Sequence, residues 1–171
     1  MDSLVAVADL TAYLQRPLDQ PAAELALAGA SGIVREYCGW TISAEAATFV
    51  VDGSGTTLIG LPTLHLTAVT EVRIDGLALE PAGYAWSENG LLQRRAGWPR
   101  RFRCVAVDCA HGYGQVPDVV RAVVLALAGR LHTTPDRLVS KTVGGISRTY
   151  ATGSGDMSEL ELAMLAGLRL P

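Results

Sequence analysis

The sequence predicts an α+β fold: a mainly helical bundle with a small inserted antiparallel β-sheet and a mobile C-terminal arm ending in a short helix. Three observations predict it. Apolar residues recur at helical spacing near both ends of the chain. The middle carries short β-prone runs broken by turn signals, and a glycine-rich stretch precedes the last amphipathic segment. A chain of 171 residues is long enough for one domain with a real core. The expected organisation is a core over 1–138 and an arm over 139–171, with the β region inserted at about 46–110.

Leu4, Val7, Leu10 and Leu14 predict a short amphipathic helix over 4–16, and Pro17 stops it. Asp19 or Gln20 caps a second helix over 21–38, with Pro21 in its first turn and Gly39 as its stop. Leu25, Ile33, Val34 and Tyr37 are expected to form its apolar face, while its alanines raise propensity and permit close approach. Strands are expected over 48–51, 56–59, 69–74 and 103–109, separated by pairs such as Asp52-Gly53, Asp75-Gly76 and Asn89-Gly90. Glu71, Arg73 and Asp75 alternate with Val72 and Ile74, which marks a strand with one wet face. His111-Gly112-Tyr113-Gly114 reads as a turn, and Pro117 opens a well-buried helix over 117–132 rich in valine and leucine. In the tail, Gly144-Gly145 and Gly153-Ser154-Gly155 flank a β-prone 146–151, read as a long mobile arm. Ser158 and Glu161 have capping-box spacing ahead of Leu160, Leu162, Met164, Leu165 and Leu168. So short a helix cannot stand alone in water and must dock on its own core or on a neighbour.

Composition narrows the function. Fourteen Lys plus Arg against 17 Asp plus Glu give a net charge of -3, which excludes a generally basic nucleic-acid coat. No apolar run is long enough to span a bilayer, and the start Met1-Asp2-Ser3 does not read as a signal peptide, so a soluble, unsecreted protein is expected. Cys38, Cys104 and Cys109 read as buried free thiols. Cys104 and Cys109 are expected on opposite faces of one strand.

The sharpest local feature is a basic cluster: Arg94, Arg95, Arg100, Arg101 and Arg103, flanked by Trp86, Trp98 and Phe102. Arginine forks suit carboxylates and phosphates. The cluster reads as a solvated face, as a face for an acidic protein, or as a face for nucleic-acid backbone. His65, His111 and His132 lack metal-site spacing, so no metal and no cofactor is expected. His111 is expected to lock its turn by a ring hydrogen bond. Ser154 lies outside any nucleophile elbow and no carboxylates pair up, so no catalytic residue is assigned. A small enzyme is the least favoured reading.

Three blocks resemble tailed-phage head–tail connector (adaptor) proteins, in a longer form with a middle β insertion. They are the opening Val7–Arg16 with the helix Ala22–Tyr37, the block His111-Gly-Tyr-Gly-x-Val-Pro-x-x-Val120, and Lys141-Thr-Val-Gly-x-Ile-Ser-Arg-Thr-Tyr150 followed by Ser158 through Leu168. The resemblance implies a structural protein at the head–tail interface of a virion, assembled in the host cytoplasm. Such proteins form a homo-oligomeric ring, of twelve copies in the family, beneath the portal. They extend the channel for double-stranded DNA, without reading its sequence, and present a surface to the next neck or tail-completion protein. Ile146, Tyr150, Leu160, Leu165 and Leu168 are the expected contacts with a neighbouring subunit or the portal. The arginines would line the channel or face a partner. Leu165→Asp is then expected to spoil assembly while sparing the fold, and docking of the arm in cis remains the open alternative.

Overall fold

Extended segments, capped helices and tight glycine turns alternate as the sequence predicts, and the chain is mixed α+β. The structure, a computed structural model, describes residues 3–133, 140–143, 146–149 and 157–170. By contacts it divides into two compact units. One comprises Met1–Cys38 and Val116–Gly167, the other Gly39–Gln115 and Leu168–Pro171.

The first unit holds helices α1 (Val7–Leu14), α2 (Gln20–Cys38), α3 (Asp118–Thr133) and α4 (Glu159–Leu165). The short strands Ser140–Val143 and Ile146–Thr149 pair as an antiparallel hairpin. Asp19 caps α2, its Oδ2 accepting from the Ala22 N–H at 3.1 Å, so the first of the two expected caps is the one used. Leu10, Leu27, Val34, Val120, Val124 and Leu127 are fully buried. The face of α2 agrees with expectation at Val34, with Ile33 and Tyr37 half-buried, and differs at Leu25. Its buried residues are Ala23, Ala26, Leu27, Ala30, Ser31, Val34 and Cys38, whereas Leu25 is 76% exposed. The physical reason is close packing: small residues let helix backbones approach, and a stripe centred on alanine buries where one centred on Leu25 would hold them apart. The buried Ser31 hydroxyl is satisfied by the Leu4 N–H at 3.0 Å.

The second unit holds two antiparallel sheets instead of the single small sheet expected. The larger, in the order β1-β7-β3-β4, is built from β1 (Glu45–Val51), β3 (Leu66–Ile74), β4 (Leu77–Ala78) and β7 (Val105–His111). The smaller, in the order β2-β6-β5, comprises β2 (Leu58–Gly60), β5 (Ala85–Trp86) and β6 (Leu91–Gln93). Along β7 the side chains of Val105, Val107, Cys109 and His111 point inward and are buried. Val105, Val107 and Cys109 join Leu66, Val72, Ile59, Leu61, Leu92 and Trp98 in one core. The opposite face is wet, as the alternation along β3 predicts: Arg73 meets Glu71 and, at 2.6 Å, Asp108, which also accepts from Thr48. Arg73 and Thr48 together hold the Asp108 carboxyl below the usual carboxylate range.

All three cysteines are free and buried. Cys104 and Cys109 nevertheless point into the same core. Cys104 precedes β7, and Arg103 sits at φ +50, so the chain turns there and the strand's two-residue parity does not extend back to Cys104.

Candidate functional site

Residues 99–104 form a turn that the core of the second unit holds from below. Trp98 is buried at its base, its Nε1 donating to the Thr57 carbonyl at 3.2 Å. Gly53 donates its N–H to the Arg101 carbonyl at 2.8 Å, and Asp52 Oδ1 accepts from the Arg103 N–H at 2.6 Å. A Cβ at Gly53 would overlap the Pro99 carbonyl oxygen, so only glycine permits this approach. Cys104 Sγ donates to the Arg101 carbonyl at 3.3 Å. The predicted break at Asp52-Gly53 is thus the seat on which the arginine turn rests.

The five clustered arginines do different things. Arg94 donates to the Gly97 carbonyl within its own turn, and Arg101 is ion-paired with Asp75. The exposed side chains of Arg95, Arg100 and Arg103 have no ionic partner among the described residues. Phe102, between Arg101 and Arg103, is 88% exposed. Trp98 is core and Trp86 is partly exposed, so of the three flanking aromatics only Phe102 stands free at the turn. A concavity of about 550 Å³ beside it is lined by Asp52, Gly53, Ser54, Arg100, Arg101 and Phe102. Exposed guanidinium groups around a bare ring on a firmly held turn can bind carboxylates and an apolar contact together. Sequence reasoning found the arginines, with Phe102 as one of three flanking aromatics and Asp52-Gly53 as a strand break, but gave neither the exposure of that ring nor the break's contact with the arginine turn.

The C-terminal helix is the second candidate region. The capping box forms as predicted: Ser158 Oγ accepts from the Glu161 N–H and the Glu161 side chain accepts from the Ser158 N–H at 2.8 Å. Glu161 is also gripped by both terminal nitrogens of Arg130, each at 2.9 Å. Arg130, and to a smaller degree Ser158, hold the Glu161 carboxyl below the usual carboxylate range against the opposing effect of burial. Tyr37 Oη donates to the Leu162 carbonyl at 3.2 Å.

Leu165 is fully buried, which corrects two expectations. It belongs to the core of its own chain and cannot serve as a free anchor, and Leu165→Asp would not spare the fold, because it drives a carboxylate into that core. The outward residues of α4 are Leu160, 70% exposed, and Met164. Leu168 is half-buried and its carbonyl accepts from Trp40 Nε1 at 2.7 Å. Ile146 lies at the start of a hairpin strand, and Tyr150 lies outside the described residues, as do the glycines 144–145 and 153–155 of the expected arm.

The turn after β7 is held differently from the expectation. His111 is buried with its ring against Phe49, centroids 4.8 Å apart, and Glu45 lies 3.4 Å from Nε2. Burial pushes its pKa down, partly opposed by Glu45. Among the described residues its ring nitrogens reach only Glu45 on β1, so no ring hydrogen bond locks the turn itself. Gly112 does that work: at φ +86 it donates to the His65 carbonyl at 2.7 Å, and a Cβ there would overlap the Ser43 carbonyl. Tyr113 stacks on His65 with ring centroids 4.2 Å apart and donates its N–H to the Ile42 carbonyl at 2.8 Å. Gly114 is exposed, and the Pro117 carbonyl accepts from the Arg121 N–H at 3.0 Å at the start of α3.

Among the described residues no group of His, Cys, Asp and Glu is placed to hold a metal ion, and no helix is long and apolar enough to cross a membrane.

A family model described as head completion protein matches residues 3–169. The chain is similar to a protein in the neck of a native gene transfer agent (GTA) particle computed with C12 symmetry, at 14% identity and TM-score 0.65, over 98% of this chain and 93% of that one. It is similar to one in the neck of an empty GTA particle computed with C6 symmetry, at 12% identity and TM-score 0.70, over 97% and 89%. A third likeness is to the virion of a native GTA particle, at 14% identity and TM-score 0.67, over 97% and 89%. At such identities the likeness establishes a shared fold. No curated protein matches the chain.

Proposed function

The chain belongs to the head completion protein family, and from that premise we propose that it is a structural subunit of the head–tail neck of a phage-like virion. Copies of it form a ring beneath the portal, extend the channel through which double-stranded DNA passes, and present a surface to the next neck or tail-completion protein. Its role is architectural and not catalytic. The observation that carries this reading is the reach of the family match: residues 3–169 take in both units, helices and inserted sheets alike. The shared fold with neck proteins over nearly the whole chain supports it.

Leu160, with Met164 one turn on, is the outward apolar pair of α4 and the proposed docking point on a neighbour or the portal. Ile146, Tyr150 and Leu168 extend that proposal along the segment 139–171, read as an arm. The turn carrying Arg100 and Arg103, with Arg95 in the turn before it, is proposed to face a protein partner, since a ring that gripped DNA would hinder its passage.

The test is to mix the purified protein with the portal from the same particle and image the mixture by electron microscopy. Ring density coaxial with the portal is the expected result. Two folded proteins that do not associate would overturn the portal-proximal role.

A further inference from the structure

Two exposed faces of this chain differ in charge, and each carries a bare apolar side chain. Arg100 and Arg103 are exposed beside Phe102 on the turn of the second unit, without an ionic partner among the described residues. The outward stripe of α2 is its counterpart. At 100° per residue, Pro21, Leu25, Ala28, Gly29, Gly32 and Glu36 fall on one face of that helix, opposite the buried alanines. Leu25 is 76% exposed there, among residues that rise little above the helix backbone.

Among the described residues nothing presses on the glycines of that stripe. A Cβ at Gly32 would meet open space, and one at Gly29 only an ordinary contact with Leu131. Each glycine inside a helix costs about 1 kcal/mol relative to alanine. Acids border the stripe. Glu36 is exposed without an ionic partner among the described residues, and Glu24 is bonded only to the Gln20 amide.

We propose that the Arg100–Arg103 turn of one copy docks on the outward face of α2 of a second copy. Phe102 lies against Leu25 over the low surface at Gly29 and Gly32, with the free arginines meeting Glu24 and Glu36. A closed ring needs two different, complementary patches on every subunit, because each contact is heterologous. Here one patch is cationic with a protruding ring, and the other carries two exposed carboxylates, with the already partnered Arg35 at one edge, around a shallow apolar floor. Arginine beside an aromatic ring is also the composition of an interface hot spot. The inference rests on the ring reading above.

The experiment places p-benzoylphenylalanine at position 102 in particles assembled from the full-length protein, then irradiates them and maps the adducts by mass spectrometry. The expected product has twice the chain mass and carries its crosslink within residues 19–36. A crosslink to DNA, to another neck protein or to a different part of the chain would overturn the docking, as would the absence of any crosslink from particles that contain the protein. Absence of the protein from the particles would instead overturn the neck reading, so the two failures are distinguishable.

A second measurement uses charge reversal. Arg100→Glu with Arg103→Glu should lower incorporation at least tenfold while leaving the circular dichroism spectrum unchanged. Adding Glu24→Arg with Glu36→Arg should restore it to within about twofold. Folded variants without that rescue would remove the pairing.

Discussion

Glu161→Ala should release α4 from the first unit without unfolding the rest. The magnitude follows from what that carboxylate does. It closes the capping box with Ser158, and loss of such a cap costs about 1 kcal/mol. It also accepts two 2.9 Å bonds from Arg130, with the Glu161 side chain 9% exposed and that of Arg130 37%. A fully buried pair costs about 3–5 kcal/mol to break and a surface pair about 0–1, so this half-screened one is worth about 2 kcal/mol. The sum, about 3 kcal/mol, raises local opening roughly a hundredfold or somewhat more. The assay is amide hydrogen exchange, read at the Leu162 N–H, which bonds to the Ser158 carbonyl at 2.9 Å. A helix of seven residues has little stability of its own, so its protection reports docking directly. Arg130→Ala and the double variant complete a cycle, with about 2 kcal/mol of coupling expected. Exchange that rises less than about threefold, or coupling below about 0.3 kcal/mol, would refute the idea that this contact holds α4.

Three further outcomes are expected. Leu165→Asp should cost more than about 4 kcal/mol by placing a charge in the core, whereas Leu160→Asp should change urea stability by no more than about 0.5 kcal/mol and abolish assembly on the portal. Gly53→Ala should cost about 1–3 kcal/mol because backbone must move to admit the methyl group, while Gly60→Ala, with open space at its Cβ, serves as the near-neutral control. Because burial depresses the His111 pKa, the unfolded chain takes up its proton first on acidification. Stability should therefore fall as pH drops below about 6.5, by at most about 1.4 kcal/mol per unit from this group, and His111→Gln should flatten urea midpoints between pH 7 and about 5.

Local signals were legible wherever the deciding atoms are close in sequence. Asp19 caps α2, Gly39 at φ +80 ends it, and Ser158 with Glu161 forms the capping box of α4, because each device spans at most one helical turn. The wet face of β3 was readable for the same reason: Glu71 and Arg73 alternate with buried Val72 by strand geometry alone. The reading failed where packing chose between options of similar periodicity. Of the expected face Leu25, Ile33, Val34 and Tyr37, Val34 is buried but Leu25 is not, and the close approach available to small residues turned the buried stripe toward the alanines instead.

The arginine cluster divides along the same line. Its residue types, its spacing and the absence of any comparable basic run elsewhere were properties of the chain itself. That Asp75, 26 positions away, takes Arg101 and that Asp52 holds the Arg103 backbone required the tertiary structure. So did the exposure of Phe102 and the burial of Leu165. The sequence alone determined the element types, the caps and the insertion of a β region between helical segments, since these follow from backbone preferences and periodicity over a few residues. The order of strands, the two-sheet division and the set of residues left bare for a partner were decided by the fold, because burial and pairing are sums over groups distant along the chain.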